Sequence, residues 1–176
     1  MTEIRIVRVG PQALTLLTDI RENALRTAPT EISEFLYDDY AELHEHATES
    51  STHYFVGFKD HSPFAYLRAS IDDGEAEIRG PFLYPEFFAS GLGVQLVEHA
   101  LRFVGELKTQ VIYALVPPGQ FDADRTFSDT SFEDISSDTE FLKRWHGGTL
   151  ADRRIPAQTK LFVRLLEISG PSLDSV

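Results

Sequence analysis

Two glycines lie in a turn between two regular segments, an arrangement typical of an anion-binding site. Residues 76–84 are predicted to form a strand that stops at Pro85, and residues 92–104 a helix. Gly91 and Gly93 stand where the helix begins, so the chain can turn sharply there and approach a ligand closely. The first N–H groups of a helix have no partner within it, and the helix dipole adds partial positive charge. The sequence therefore predicts that a phosphate or pyrophosphate binds at this turn.

The helix after the turn is supported by its apolar periodicity. Apolar side chains recur at three- and four-residue spacings, and polar side chains fall mainly on the other side. Glu98 and Arg102 are four positions apart in the order of charges that stabilises a helix, and Gly105 is expected to end it. The apolar positions are Leu92, Leu96, Val97, Ala100, Leu101, Phe103 and Val104.

The glycine turn has two other interpretations besides the anion site. A glycine pair between a strand and a helix is also compatible with an ordinary tight turn that binds nothing. A dinucleotide-binding fingerprint has the same context, but it needs a third glycine where Leu96 stands. It also needs an acidic residue at the end of the next strand, and the strand predicted at 111–116 ends without one. The residues argue against a dinucleotide site and leave the other two interpretations open.

Residues 85–93 resemble the acetyl-coenzyme A loop of the GNAT acetyltransferase superfamily. The family pattern is Arg or Gln, any two residues, Gly, any residue, and then Gly or Ala. Gly91, Leu92 and Gly93 match it, whereas Phe88 stands at the position of the Arg or Gln. The resemblance implies that the loop amides hold the pyrophosphate of acetyl-coenzyme A, which would be the co-substrate. The cofactor-binding residues that it implies are Phe82, Leu83, Phe88, Ala89, Ser90, Gly91, Leu92, Gly93 and Val94.

Glu77 is the residue that the resemblance implies as the catalytic base. The Ala76-Glu77-Ile78 triplet is similar to that of the histone-acetylating branch of the superfamily, in which a glutamate at this spacing before the loop is the base. A carboxylate near an apolar cleft is expected to have its pKa raised by desolvation. The alternative is a solvated strand residue whose charge is balanced by Arg79.

A general acid for the departing thiolate is less evident. The superfamily usually offers a tyrosine on the helix after the fifth strand, and the helix predicted at 140–146 contains none. His146 or solvent could protonate the thiolate, although a histidine at a helix C-terminus more often interacts with the dipole. No metal site is predicted, because the chain has no Cys, and His44 and His46 would point to different faces of a helix.

The order of predicted elements is that of the GNAT fold up to its fifth strand. The resemblance implies an α/β (α+β) fold with a mixed, mostly antiparallel sheet of six to seven strands flanked by helices. It also implies a wedge for the pantetheine arm, where the strand before the loop splays from the strand after the helix. Strands are predicted at 3–9, 53–59, 64–71, 76–84, 110–116, 149–155 and 160–166. Helices are predicted at 12–26, 31–46, 92–104 and 140–146.

Length and composition define the class of protein. A chain of 176 residues with 42% hydrophobic residues is expected to form one globular domain, over 1–168, with a flexible tail at 169–176. The formal charge of −12 argues against a nucleic-acid partner, and the absence of Cys excludes disulfides. There is no apolar run of membrane-spanning length and no basic-apolar leader. We therefore expect a cytoplasmic protein with no membrane partner.

Residues 120–139 are predicted to be a long loop without regular structure. A loop of this length is usually functional or mobile. Its carboxylates could line the mouth of an amine-binding site, or they could form a solvated acidic surface. They are Asp122, Asp124, Asp129, Glu133, Asp134 and Asp138.

The resemblance implies an acetyl-coenzyme A-dependent N-acetyltransferase that acts on a primary amine of a small molecule or peptide. The alternative is a non-catalytic GNAT-like module that binds an acyl-coenzyme A or a protein partner. Phe88 and the missing tyrosine favour that alternative. The acceptor and the length of the acyl chain stay open at this stage, and the sequence is compatible with a homodimer.

Overall fold

The structure is a computed structural model that describes residues 3–26, 43, 49–138, 140, 155 and 158–166. Its centre is a seven-stranded sheet with the strand order β1-β2-β3-β4-β5-β7-β6. Neighbouring strands are antiparallel except β4 and β5, which are parallel. The strands are β1 Ile4–Val9, β2 Thr52–Lys59, β3 Ser62–Asp72, β4 Glu75–Leu83, β5 Val111–Val116, β6 Glu133–Asp134 and β7 Lys160–Leu165. The predicted fold class is therefore confirmed.

Helices cover both faces of this sheet. The helices in the described residues are α1 Leu14–Leu25, α2 Leu92–Glu106 and α3 Phe121–Ser128. A 3-10 turn at Pro11–Ala13 precedes α1, and another at Pro85–Phe87 lies between β4 and α2. In this part of the chain no helix combines the length and apolarity that a membrane span requires.

Most predicted elements are present, and several boundaries differ. The prediction of a structureless loop at 120–139 was wrong, because α3 and β6 form there. Gly105 does not end α2, which continues to Glu106. The hairpin turn is shorter than the predicted 60–63, since β3 already begins at Ser62. Asp60 and His61 both have positive φ, as a two-residue hairpin turn requires.

Some predicted elements lie outside the described residues. Of the helix predicted at 31–46, only Leu43 is described, as a buried helical residue. Of the helix predicted at 140–146, only Glu140 is described. The strand predicted at 149–155 is outside apart from Ile155, which is not in a strand, and the tail at 169–176 is wholly outside.

The two faces of the sheet form two different cores, because side chains alternate along each strand. Phe55 and Leu67 face the side that carries α2 and α3, where Leu96, Val97 and Phe127 are buried. Their neighbours on β2 and β3 face the opposite side. There the buried cluster comprises Leu17, Ile20, Leu43, Tyr54, Val56, Tyr66 and Phe82, so α1 packs on that face.

The strands β4 and β5 pair along only part of their length. Glu75 to Ile78 pair with Val111 to Ala114, and the pairing ends there. β4 continues to Leu83 against β3, while β5 continues to Val116 against β7. The two strands therefore diverge and leave a wedge between them. This confirms the splay that the sequence resemblance implies.

Candidate functional site

The loop after β4 leads directly into the N-terminus of α2. The 3-10 turn at Pro85–Phe87 is followed by Ala89, with φ of 56°, and Gly91, with φ of 77°. The positive φ at position 91 favours glycine, because residues with a side chain rarely adopt this backbone conformation. A Cβ on Gly91 would meet no heavy atom within 4 Å. The chain thus leaves open space at the helix N-terminus.

Several N–H groups at this helix N-terminus have no protein acceptor. The Leu92 N–H donates to the hydroxyl of Ser90, over 3.3 Å. Within the described residues, the N–H groups of Gly91, Gly93 and Val94 donate to no protein group. They are the orphan donors that the sequence predicts for this turn, and the helix dipole adds to their positive potential. The arrangement can hold an anion.

Gly93 has a different role from Gly91. A Cβ on Gly93 would lie 2.6 Å from Thr126 Oγ1 and 3.3 Å from Pro81 Cγ. Only a glycine therefore lets the first turn of α2 lie this close to α3 and to β4. The close packing places the N–H groups of α2 at the open end of the wedge.

The helix α3 borders the glycine turn and contributes residues that the sequence did not predict for the site. The Ala89 N–H donates to Asp122 Oδ1 over 2.8 Å. Four residues of α3 and the turn that follows it line a cavity of about 30 Å³ together with loop residues. They are Asp122, Arg125, Thr126 and Asp129. An acidic first turn, which is typical of helix N-termini, was the available signal for α3.

Three further carboxylates of this segment, Asp124, Asp129 and Asp134, have cationic partners on the protein. Lys160 Nζ donates to both carboxylate oxygens of Asp124 over 2.9 Å and lies 3.9 Å from Asp134. The hydrogen bond with Asp124, assisted by the charges of both carboxylates, raises the pKa of Lys160. Arg125 and Asp129 form an exposed pair at 3.5 Å. The Lys160 contacts join α3 and β6 to β7. The amine-binding mouth, one of the two interpretations of these carboxylates, stays a prediction.

Glu77 lies near the point where β4 and β5 diverge. It is paired in register with Tyr113, one residue before the last paired position of β4. The residue is only 4% exposed, so the alternative of a solvated residue is wrong. Arg79 is its partner as predicted, because the Nε of Arg79 donates to Glu77 Oε1 over 2.8 Å. The guanidinium offsets the cost of burying the carboxylate and fixes its orientation.

The remaining predicted cofactor residues differ in which of their atoms a ligand could contact. Phe82 is buried against Tyr66, with ring centroids 4.9 Å apart, and Leu83 is buried on the opposite face of the sheet. For these two, only the backbone can contact a ligand in the wedge. Phe88 is 45% exposed beside the loop amides. Leu83 is six positions after Glu77, or about 20 Å along an extended strand, so Glu77 and the glycine turn lie at opposite ends of the wedge.

Sequence comparison agrees with this geometry. The model of the acetyltransferase (GNAT) family matches residues 17–132, which span α1, the wedge, the glycine turn and α3. The chain belongs to the GNAT acetyltransferase family. Among curated protein sequences, none is significantly similar to it.

Solved GNAT structures have the same fold at low sequence identity. The PaiA N-acetyltransferase of Thermoplasma acidophilum, in complex with coenzyme A, superposes with a TM-score of 0.69 at 11% identity, covering 93% of this chain and 99% of that chain. A GNAT acetyltransferase of Staphylococcus aureus gives 0.70 at 11%, covering 94% and 100%. The ribosomal-protein-S18-alanine N-acetyltransferase of Escherichia coli gives 0.65 at 14%, covering 97% and 99%. The family and the coenzyme A complex agree with acetyl-coenzyme A as the predicted co-substrate.

The tyrosine that GNAT proteins usually place after the fifth strand is absent here. The helix after β5 is α3, not the predicted 140–146, and α3 contains no tyrosine. Tyr84 lies at the start of the loop, where burial and the charges of Asp19 and Glu86 raise its pKa, so it keeps its proton at neutral pH. It stands at the glycine end of the wedge, far from Glu77. His146 lies outside the described residues, as do His44 and His46.

Among the described residues, no group of three or more His, Cys, Asp or Glu side chains could hold a metal ion. The polar features at the two ends of the wedge are the loop amides at one end and the Glu77–Arg79 pair at the other.

Proposed function

We propose that this protein is an acetyl-coenzyme A-dependent N-acetyltransferase that acetylates a primary amine of a small molecule or peptide. The observation that carries the proposal is the row of unpaired N–H groups at Gly91, Gly93 and Val94, at the open end of the wedge between β4 and β5. An anion site and an adjoining slot together match a long cofactor that has a pyrophosphate at one end and a reactive group at the other.

The residues around the glycine turn fit this cofactor. The unpaired amides would bind its pyrophosphate, and the open space at Gly91 would admit it. The backbone of Phe82 and Leu83 lies on the part of β4 that β5 has left, beside the path of the pantetheine arm. Phe88 offers an exposed ring where the family has a polar side chain. Ala89, Ser90 and Leu92 complete the loop.

Glu77 is the proposed general base at the narrow end of the wedge. Acetyl-coenzyme A supplies an acetyl group activated as a thioester. An amine attacks a thioester only as the free base, so the Glu77 carboxylate would take a proton from the acceptor's ammonium group. Arg79 would hold the carboxylate in one orientation for this transfer. No tyrosine of α3 is present to protonate the thiolate, so solvent is the proposed proton source.

A non-catalytic acyl-coenzyme A-binding module is the second candidate function. The absence of a tyrosine from α3 and the exposed Phe88 in the loop favour it. The two candidates share the cofactor site and differ only in turnover.

Titration calorimetry with acetyl-coenzyme A, followed by detection of free thiol with a panel of amines, separates the candidates. We expect saturable binding and thiol release that requires both the protein and an amine. Binding without release for any amine would favour the non-catalytic module. No binding at all would overturn both candidates.

The position of the cofactor site can be tested with a matched pair of glycine variants. Gly91→Ala places a Cβ in the space assigned to the pyrophosphate, at a φ of 77°. Gly74→Ala imposes similar backbone strain, at a φ of 82°, in the distant β3–β4 turn. We expect similar losses of stability from both, about 1 kcal/mol, and a loss of coenzyme A affinity from Gly91→Ala alone. Equal affinities would contradict the assignment of the loop.

A further inference from the structure

Asp122 contacts the glycine turn in a way that the proposed function does not explain. Its Oδ1 accepts a hydrogen bond from the Ala89 N–H over 2.8 Å, although the two residues are far apart in the sequence. The Ala89 N–H lies immediately before the unpaired amides of Gly91, Gly93 and Val94. A carboxylate of the chain thus already occupies one donor of the loop. The Asp122 carboxylate is therefore an anion bound at the place where the larger pyrophosphate of the proposed cofactor would bind.

The cavity beside this contact is formed by two parts of the chain. The loop and the first turn of α2 line one side, and Asp122 and Asp129 line the α3 side. The Ala89 N–H already has Asp122 Oδ1 as its acceptor. A pyrophosphate that used this N–H together with the unpaired amides would therefore have to displace the Asp122 side chain.

The charges around the cavity give Asp122 a distinct effect. Asp129 is paired with Arg125 at 3.5 Å, so the charges of these two residues offset each other. Within the described residues Asp122 has no cationic partner, and its contact is the neutral Ala89 N–H. Its carboxylate would lie close to the cofactor's phosphates, where like charges repel.

We propose that Asp122 is an internal competitor of the cofactor, so that coenzyme A binding exchanges one anion for another at the loop. This inference rests on the proposed function, because it assumes that the loop binds the pyrophosphate. It makes Asp122 a residue that sets cofactor affinity: the carboxylate stabilises the loop in the free protein and weakens binding. A carboxylate that only supports the loop would have the opposite effect, because its removal would weaken binding.

The test measures coenzyme A affinity and thermal stability for wild type, Asp122→Asn, Asp122→Ala and the control Asp129→Asn. Asparagine keeps an acceptor for the Ala89 N–H and removes the charge, so coenzyme A should bind about five- to tenfold more tightly, with only a small loss of stability. Alanine removes the acceptor as well, so affinity should rise while the Tm falls. Asp129→Asn removes a charge from the same cavity without a loop contact, and it should change affinity less than twofold. Inorganic pyrophosphate, as a second probe, should show the same order.

Each other outcome has a definite meaning. Weaker or unchanged binding of coenzyme A by both Asp122 variants would overturn the inference and leave the proposed cofactor site intact. An equal gain from Asp129→Asn would overturn it as well, because the effect would then be one of general surface charge. If none of the four proteins bound coenzyme A or pyrophosphate, the proposed function itself would fail, and the inference with it.

Discussion

Glu77 combines burial with a charged partner, and both determine what its substitution should do. In Glu77→Gln the side chain keeps its size and loses the ability to take a proton. We expect the acetylation rate to fall by about a hundredfold or more at neutral pH, with coenzyme A affinity unchanged. The rate should recover at high pH, where amines deprotonate without a base. Stability should fall by about 1–3 kcal/mol, because Arg79 loses a charged acceptor.

The matched control is Glu75→Gln on the same strand. It removes the same charge from β4 away from the point where β4 and β5 diverge. Its rate and pH profile should follow those of wild type. An unchanged rate in Glu77→Gln, measured by thiol release across the pH range, would remove Glu77 from the mechanism.

Phe88 is the residue at which this loop departs from the family pattern. Its ring is 45% exposed, so its replacement should cost little stability. Phe88→Arg restores a cationic side chain beside the loop amides, and a charge-assisted contact with phosphate is expected there. We expect coenzyme A to bind about three- to tenfold more tightly in calorimetric titrations.

Leu107→Arg provides the control for this prediction. Leu107 is equally exposed, at 45%, and caps the opposite end of α2. The Leu107→Arg substitution adds the same positive charge to this acidic protein, but at a distance from the loop. If both variants tightened binding equally, the effect would be one of net charge, and Phe88 would have no local role.

At the scale of elements, the close contact between α2 and α3 depends on Gly93, which has no side chain. Gly93→Ala would place a Cβ 2.6 Å from Thr126 Oγ1, inside van der Waals contact. The helices would have to separate, and we expect a loss of about 1–3 kcal/mol in chemical denaturation. Thr126→Ala removes the clashing oxygen, so the double variant should regain part of that loss. Additive effects of the two substitutions would show that this contact is not the source of the strain.

The same two helices show which elements the apolar periodicity of the sequence can predict. Seven apolar positions with regular spacing predicted α2 almost to its observed ends. In α3 the buried apolar residues that repeat at helical spacing, among those whose burial is described, are Ala123 and Phe127, and the helix has eight residues. A helix this short is not stable alone, so its packing against the sheet determines it. Local periodicity does not contain that information.

Part of the candidate site could be predicted from the sequence, and part of it could not. The glycine turn was predictable, because left-handed backbone and a helix start are properties of neighbouring residues. The contact between Asp122 and Ala89 joins residues that only the fold brings together. Glu77 was predicted from a family triplet, while its burial depends on α1, β3 and β5, which surround that part of the sheet.

At the scale of the whole molecule, two of the described histidines lie on the α2 side of the sheet and respond to pH. His53 packs edge-on against Phe103 at 4.8 Å, and His99 against Phe55 at 5.9 Å. Burial lowers the pKa of both, and the nearby charges of Arg8 and Arg102 lower them further. These two histidines are therefore expected to make the free energy of unfolding depend on pH between neutrality and mild acid.

The sign of their effect follows from proton binding. In the unfolded chain a histidine takes up its proton near pH 6.5, whereas in the native state it does so only at lower pH. The free energy of unfolding should therefore be highest above about pH 7 and fall as the pH drops through 6.5 toward the native pKa values. Urea unfolding at pH 7.5, 6.5 and 5.5 measures this slope. The double variant His53→Gln and His99→Gln should show a shallower slope, whereas His61→Asn, in an exposed turn, should keep that of wild type. An equally steep slope in the double variant would assign the pH dependence to other groups.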